Sequence, residues 1–250
     1  SLPKFAKGTE LEKLTSAIDN MRTELEGRHY LENYVHHLTH ELKSPLSAIR
    51  ASNELLAESA MPEVQRARFV ANVEKQCERL QTLADNLLQL IRLEQKRQLD
   101  HTESVAVATL VSQEILALQP LAEKRQLIIE VTASEPLHVT GDPLLLALAL
   151  RNLLQNALQF ADSGSVITVT LAHTGDQTII EIQNQGPAIP DYALGRLGER
   201  FYSLPHPDGS KGTGLGIAFV REIAALHNGS FRIGNTGGGV CASLRLPGDR

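Results

Sequence analysis

The chain has 250 residues with a net charge of −5, and 42% of its residues are hydrophobic. This length suits one large or two ordinary domains with packed cores, and the charge excludes a global basic field for nucleic acid or acidic membranes. No apolar run approaches the roughly 20 residues that span a bilayer. The two cysteines, Cys77 and Cys241, match no metal or redox spacing, which favours structural thiols in a reducing compartment.

The first part of the chain predicts long amphipathic helices. Apolar residues from Leu11 to Leu25 recur three and four residues apart, as in a coiled-coil seam, and the phase slips before the pattern resumes at Leu31. A second run with the same spacing extends from Val70 to Ile91. Two such helices joined by a short turn form an antiparallel hairpin, and its one-sided burial favours pairing of two chains into a four-helix bundle.

The rest of the chain alternates strands and helices, and sixteen of the 18 glycines lie from residue 141 onward. Helices grouped against a mixed, largely antiparallel sheet describe an α+β sandwich. The predicted order is a strand and helix over SVAVATLVSQEILALQPLAEKR, a strand over QLIIEVTA, a helix over GDPLLLALALRNLLQNALQFA, strands over SVITVTLAH and QTIIEIQN, a helix over TGLGIAFVREIAALHN, and a hairpin over SFRIGN and GVCASLRLP. The third segment has Asp142 as its N-cap and Pro143 in the first helical position.

Three polar segments of this second part could bind a phosphate ligand. KGTGLGI presents backbone N–H groups before a helix N-terminus, which suits phosphate oxygens, although a tight turn into a helix has the same composition. Asn152 and Asn156 lie one helical turn apart and could offer amide oxygens to magnesium and triphosphate, or bond to a neighbouring loop. Asn184 and Gly186 follow a strand and could meet a base edge, or form an ordinary strand exit.

The first helix of the predicted hairpin carries three histidines in HHLTHELKSPL. His36 and His37 are adjacent on a helix and cannot face one ion together. His36 and His40 have the right spacing but lack a third ligand one turn away. The histidines therefore do not predict a metal site.

His40 is predicted to differ from the other two histidines. It lies midway between the inward-facing Leu38 and Leu42, so its imidazole is expected to face solvent. Glu41 follows directly, and a carboxylate beside an imidazole can hold the proton on one ring nitrogen while the other attacks. Pro45 cannot donate to the carbonyl of Glu41, which predicts a bent and loosened helix one turn beyond His40.

In the order HELKSPL, NLLQNA, NQGPAIP, ERFYS and GTGLGI, these segments resemble the sensor histidine kinases of bacterial two-component systems. The resemblance covers nearly the whole chain, and the run DYALGRLGERFYSLP further resembles the CreC-type sensor kinases. It implies the end of a HAMP linker or signalling coiled coil over residues 1–28, and a dimerisation and histidine phosphotransfer hairpin over 29–100. Residues 101–250 would form a catalytic ATP-binding domain with the Bergerat fold of the gyrase, Hsp90, kinase and MutL superfamily.

The resemblance also implies a reaction and its residues. His40 would attack the γ-phosphorus of ATP with Glu41 as general base, and the phosphoryl group would pass to an aspartate of a response regulator. Asn156 would coordinate Mg²⁺. The other residues of the nucleotide site would be Asn152, Gln159, Phe160, Asn184, Gly186, Ile189, Arg200, Phe201, Tyr202, Lys211, Gly212, Thr213, Gly214, Leu215 and Gly216.

Five positions depart from the pattern of that family. Asn184 replaces the adenine-reading aspartate, giving a neutral hydrogen bond in place of a charge-assisted one, so weaker or less adenine-selective binding is predicted. Gln159 replaces a phosphate-contacting lysine, Ala188 a glycine, and Gly198 a phenylalanine that anchors the lid root. Ser44 stands where threonine or asparagine positions the water for dephosphorylation, so phosphatase activity is less secure than kinase activity.

Two other functions stay open beside the kinase. A catalytically degenerate dimeric scaffold that binds a response regulator would account for Asn184, Gln159 and Gly198. A DNA-handling or chaperone ATPase of the same superfamily is less compatible with HELKSP, because hydrolysis by water needs no such histidine. As a kinase, the chain would be a cytoplasmic homodimeric fragment without a nucleic-acid partner, reaching a bacterial inner membrane only through segments N-terminal to this sequence.

Overall fold

The computed structural model describes residues 35, 37–57, 61–133, 135–206 and 212–248. These residues form two compact units, one ending at Leu80 and the other beginning at Gln81. The predicted HAMP end over residues 1–28 and the predicted site residue Lys211 lie outside the described residues. Within the described ranges, no helix combines the length and apolarity that crossing a bilayer requires.

Helix α1 covers residues 37–56, and helix α2 covers Glu63–Gln95. The helical assignment of α1 continues through Pro45, which is buried. Pro62 directly precedes α2, and its carbonyl accepts from the backbone N–H of Gln65 and of Arg66, both at 3.0 Å. The proline therefore takes the capping position, where its missing N–H leaves no helical hydrogen bond unmade.

Two polar contacts fix the direction of these helices in the first unit. The amide of Asn72 donates to Ser52 Oγ at 2.9 Å, and Arg79 Nη2 donates to Glu41 Oε2 at 3.4 Å. Glu41, near the start of α1, contacts Arg79, whereas Ser52, further along α1, contacts Asn72, which comes earlier in α2. The two helices therefore run antiparallel. The predicted hairpin is confirmed.

The apolar stripe of α2 is only partly covered in the single chain. Val70 and Cys77, which the seam pattern predicts to point inward, are exposed. In the second unit the buried side chains of α2 are Leu83, Leu90 and Leu93. Val70 and Cys77 are exposed because a hairpin buries each helix on one side only. The face that is expected to pack against a second chain is uncovered in a single chain.

The second unit contains a two-stranded sheet and a five-stranded sheet. The strands are β1 Glu103–Ala106, β2 Ile128–Ala133, β3 His138–Gly141, β4 Val166–Thr174, β5 Gln177–Gln185, β6 Ser230–Thr236 and β7 Gly239–Pro247. The smaller sheet pairs β1 and β3 antiparallel. The larger has the order β2-β4-β5-β7-β6, in which β2 and β4 are parallel and all other neighbours antiparallel. The predicted mixed, largely antiparallel sheet is confirmed.

Helices pack on the sheet and complete the predicted α+β sandwich. They are α3 Val107–Lys124, α4 Pro143–Phe160, the single turn α5 Asp191–Leu194, and α6 Gly216–Leu226. Asp142 caps α4 as predicted, its carboxylate accepting from the N–H groups of Leu144 at 3.0 Å and Leu145 at 3.2 Å. Burial alternates along β5, so that Ile180 and Ile182 face the helical layer together with Thr178 and Asn184.

Two arginines hold α4 in this layer. The Arg151 guanidinium donates to the buried carboxylate of Glu114 on α3 with two bonds of 2.8 and 3.1 Å. At the C-terminal end of α4, Arg125 Nη1 donates to the backbone carbonyl of Gln159 at 2.6 Å. The first contact satisfies a buried charge and the second a carbonyl that a helix C-terminus leaves unpaired, so α4 is held at its middle and at its C-terminal end.

The buried His227 connects α6 to the start of α4. Its Nε2 accepts from the backbone N–H of Asp142 at 3.1 Å, so Nδ1 carries the proton and donates to the carbonyl of Ile223 at 2.7 Å. Burial lowers the pKa of His227 below its ordinary value, against the opposing effects of the Ile223 carbonyl and the Asp142 charge. The folded chain therefore favours the neutral imidazole.

This arrangement predicts a pH-dependent part of the stability. Because the folded pKa is the lower one, the stabilisation is complete above the unfolded value of about 6.5 and is lost as pH falls toward the folded pKa. We expect the thermal midpoint of the chain to fall between about pH 7 and pH 5, and His227→Gln to remove part of that slope. Thermal unfolding at half-unit pH steps measures it.

A matched control is His101→Gln, because the His101 side chain is 75% exposed. It should leave the slope unchanged. An unaltered slope in His227→Gln would contradict the assignment of the pH effect to this buried ring.

Candidate functional site

The glycine-rich segment lies directly on the turn formed by residues 201–203. Gly214 has a left-handed φ of +69°, and its carbonyl accepts from the N–H of Phe201 at 3.1 Å. A Cβ at Gly214 would lie 2.4 Å from the carbonyl carbon of Phe201. Ser203 Oγ donates to the carbonyl of Gly212 at 3.0 Å. Only glycine fits position 214 without moving backbone.

The segment then enters α6, whose first turn meets α4. A Cβ at Gly216 would lie 2.9 Å from Asn152 Oδ1, and Asn152 Nδ2 donates to the carbonyl of Leu148 at 2.8 Å. The helix carbonyl thus orients this amide with its oxygen toward the start of α6. Asn156, one turn further along α4, is half-buried, and its side chain has no hydrogen-bond partner among the described residues.

The C-terminal end of α4 meets the strand exit after β5. A Cβ at Gly186 would lie 2.3 Å from the carbonyl oxygen of Phe160, so the strand exit passes against the helix end. The ring of Phe160 contacts His206 edge-to-face, with 4.9 Å between centroids. Asn184 is buried, and its Nδ2 donates to the carbonyl of Gln185 at 3.4 Å. Its Oδ1 is left free to accept from a ligand.

Three predicted site residues have their side chains in the protein core. Ile189, Phe201 and Leu215 are buried, and the φ of Phe201 is +62°. The backbone N–H of Ile189 donates to Asn235 Oδ1 at 2.7 Å, and its carbonyl accepts from Asn235 Nδ2 at 2.8 Å. Phe201 and Leu215 could therefore contact a ligand only through backbone. Asn235 anchors the strand exit, and nothing in its hairpin sequence signals that role.

Two other predicted site residues, Tyr202 and Arg200, contact charged neighbours. Tyr202 packs under the Arg196 guanidinium, which lies 4.1 Å from the ring centroid. Arg200 forms a partly buried ion pair with Glu94 of α2. Burial, then the Glu94 charge, raises the pKa of Glu222 above its ordinary value, while Arg200 opposes the rise. Arg200, predicted to line the pocket, thus has its charge directed at a carboxylate.

Gly198 has a structural role of its own. Its φ is +96°, and a Cβ there would lie 2.5 Å from Arg221 Nε. The Arg221 side chain therefore fills the space beside this turn. A phenylalanine at position 198 would have to displace it, which gives a physical reason for the glycine.

His40 and Glu41 lie in the first unit, whereas all other described site residues lie in the second. His40 is exposed, as predicted from its position between Leu38 and Leu42. Glu41 is buried and paired with Arg79. The nucleophile candidate and its neighbouring carboxylate thus have opposite exposures.

The arrangement in the second unit suits an anionic, phosphate-bearing ligand. A glycine-rich turn and a helix N-terminus present N–H groups at the start of α6, and Asn152 directs a neutral oxygen to the same end. Among the described residues, no cluster of three or more His, Cys, Asp or Glu side chains could hold a metal ion.

Comparison with known families matches both parts of the chain. Residues 30–96 match the His Kinase A (phospho-acceptor) domain, and residues 141–250 match the histidine kinase-, DNA gyrase B-, and HSP90-like ATPases. The sensor protein CreC of Escherichia coli (strain K12) is 44% identical over 239 residues, which are 95% of this chain and 50% of CreC. The sensor-like histidine kinase SenX3 of Mycobacterium tuberculosis (strain ATCC 25618 / H37Rv) is 31% identical over 218 residues, 86% of this chain and 53% of SenX3.

Solved structures share the fold. The histidine kinase ThkA, in its complex with the response regulator protein TrrA, has a TM-score of 0.74 at 20% identity, over 98% of this chain and 68% of the ThkA chain. The Acinetobacter baumannii histidine kinase AdeS has a TM-score of 0.66 at 20% identity, over 84% of this chain and 98% of AdeS.

The chain spans about half the length of the curated relatives that it matches. Both of its matched domains occur in histidine kinases, in the order that HELKSPL, NLLQNA and GTGLGI follow along the sequence. The second of them is an ATPase domain, which accords with the backbone N–H groups that the glycine turn presents at the start of α6. The chain therefore belongs to the sensor histidine kinases and carries their phosphoacceptor domain followed by their ATP-binding domain.

Proposed function

We propose that the chain transfers the γ-phosphoryl group of ATP to His40 and then to an aspartate of a response regulator. The observation that carries the proposal is the contact between the start of α6 and Asn152, since it brings the glycine turn, a helix N-terminus and the Asn152 amide together. His40 supports it from the first unit as an exposed imidazole that a phosphate donor can reach.

At the nucleotide end, backbone groups and amides do the binding. The N–H groups of residues 212–216 would hold phosphate oxygens, and the Leu148 carbonyl keeps the Asn152 oxygen directed at the same place. Asn156 fits a Mg²⁺ ion, because its half-buried amide has no described partner and Mg²⁺ takes one or two protein oxygens alongside phosphate and water. When bound, Mg²⁺ would neutralise charge on the transferring phosphate.

At the histidine end, the neutral imidazole of His40 is the nucleophile. One ring nitrogen forms the bond to the γ-phosphorus while the bond to the bridging β–γ oxygen breaks and ADP leaves. The proton on the other ring nitrogen passes to Glu41, the adjacent carboxylate.

The partners are a second copy of the chain and a response regulator. Val70 and Leu88 of α2 are 43% and 53% exposed, and pairing into a four-helix bundle would cover this apolar stripe. A receiver domain as phosphate acceptor follows from the family, and the solved complex of ThkA with TrrA is an example in another protein. We assign residues 29–100 to dimerisation and phosphotransfer and 101–250 to ATP binding, and we place the full-length protein in a bacterial inner membrane.

Incubation with γ-labelled ATP and Mg²⁺ tests the proposal. We expect acid-labile label on the protein, and its loss to a receiver domain that is added afterwards. The competing scaffold function, motivated by Asn184 and Gln159, predicts dimers that bind the receiver but take no label. A wild-type chain that takes no label would therefore contradict the kinase function and favour the scaffold function.

Asn184 gives a prediction for base recognition. Asn184→Asp should tighten ATP binding, because a carboxylate makes a charge-assisted hydrogen bond to the adenine amino group. The change also replaces the Asn184 Nδ2 group, which donates to the Gln185 carbonyl at 3.4 Å, with an oxygen that cannot donate. Loss of this hydrogen bond limits the gain in ATP affinity to about threefold to fivefold. Calorimetric titration of ATP measures it.

Asn184→Ala is the companion variant and should weaken ATP binding, since it removes the acceptor. If both variants bind ATP as the wild type does, Asn184 does not touch the base.

A further inference from the structure

Glu41 and His40 are neighbours in sequence with opposite environments. His40 is exposed, whereas Glu41 is buried, with only 7% of its surface accessible to solvent. Successive residues of an α-helix point about 100° apart, so one side chain can face solvent while the next enters the hairpin. A buried carboxylate that is to accept the His40 proton needs a charged hydrogen-bond partner to hold it in place.

The opposing helix supplies the charge that does this. Arg79 of α2 donates from Nη2 to Glu41 Oε2 at 3.4 Å, and its own side chain is 41% exposed. A guanidinium stays protonated at every pH at which the protein functions. It can therefore orient the Glu41 carboxylate by hydrogen bonding without taking the proton that Glu41 has to accept.

We infer that Arg79 is a positioning residue for the phosphotransfer, orienting the Glu41 carboxylate within the hairpin. The inference rests on the proposed function. As the nitrogen–phosphorus bond forms and ADP leaves, the imidazole proton moves to Glu41, and Arg79 keeps its own protons throughout. Arg79 contacts neither ATP nor phosphate in this role.

The first-unit hairpin offers two matched controls. Asn72→Ala removes a cross-hairpin hydrogen bond of 2.9 Å to Ser52 that does not involve Glu41. Arg68→Gln removes an exposed arginine of the same helix, and the structure gives that side chain no contact with Glu41. The first control tests loosening of the hairpin, and the second tests loss of positive charge.

The experiment measures autophosphorylation of the whole chain against ATP concentration for the wild type, Arg79→Gln, Arg79→Lys, Glu41→Gln and the double variant Glu41→Gln with Arg79→Gln. We expect Arg79→Gln to lower kcat about tenfold to a hundredfold, within the range of general-base effects, with KM for ATP unchanged. Arg79→Lys should recover part of the rate. The double variant should be no slower than Glu41→Gln, and both controls should keep the wild-type rate.

Several results would overturn the inference. A wild-type kcat in Arg79→Gln, or losses that multiply in the double variant, would show that Arg79 does not act through Glu41. An equal loss in Asn72→Ala would reduce Arg79 to a structural contact. An inactive wild type would end the proposed function itself, and this outcome differs from an active wild type with an indifferent Arg79.

Discussion

His40→Gln should abolish phosphorylation of the chain, with a loss of at least about a thousandfold in acid-labile label. Glutamine is close to histidine in size, but its amide nitrogen has no available lone pair to attack phosphorus. His40 is exposed, so the change should alter the unfolding free energy by no more than about 0.5 kcal/mol. The measurement is label incorporated from γ-labelled ATP, with thermal unfolding of the same samples.

The control variant is His37→Gln, on the same helix one turn before His40, which should keep the wild-type label. ATP binding by His40→Gln should equal that of the wild type, because the proposed nucleotide site is built from the second unit. Label that persists in His40→Gln would remove His40 from the reaction.

Gly214→Ala should have the second large effect. A left-handed φ costs a residue with a side chain about 1–2 kcal/mol, and the new Cβ would lie 2.4 Å from the backbone of Phe201. Relief requires breaking the hydrogen bond from Phe201 N–H to the Gly214 carbonyl, which shapes the glycine turn. We expect ATP affinity to fall at least about tenfold, the equivalent of 1.4 kcal/mol, as measured by calorimetric titration.

Gly195→Ala is the matched glycine control. Gly195 has φ −71°, and an added Cβ would meet no atom within 4 Å. That variant should bind ATP normally. If Gly214→Ala folds and binds ATP with wild-type affinity, the glycine turn does not form the phosphate site.

Much of the fold follows from local patterns. The capping of α4 by Asp142 and the strands on either side of the turn at Gly175 agree with the sequence prediction, because caps, turns and alternating burial are encoded within a few residues. β3 was not predicted, since it has four residues and is defined by pairing with β1, more than thirty positions earlier. Long-range pairing leaves no local period.

The candidate site divides in the same way. The exposure of His40 could be predicted, because it depends on the apolar seam of its own helix. The burial of Glu41 could not, since it depends on where α2 passes and on Arg79, 38 positions later. Likewise, the burial of the Phe201 and Leu215 side chains could not be predicted, because it depends on their neighbours in the folded chain.

The sequence by itself determined the residue types of this protein's chemistry: a histidine followed by a carboxylate, paired amides on a helix, and glycines before another helix. Their order along the chain also determined the family. Only the tertiary structure decided which of these groups are free to act. It directs the Asn152 oxygen to the start of α6 and pairs Glu41 with Arg79. It also engages the backbone N–H of Ile189 in a hydrogen bond to Asn235. The physical reason is that burial and hydrogen bonding depend on neighbours distant in sequence, whereas residue chemistry and helical periodicity are local.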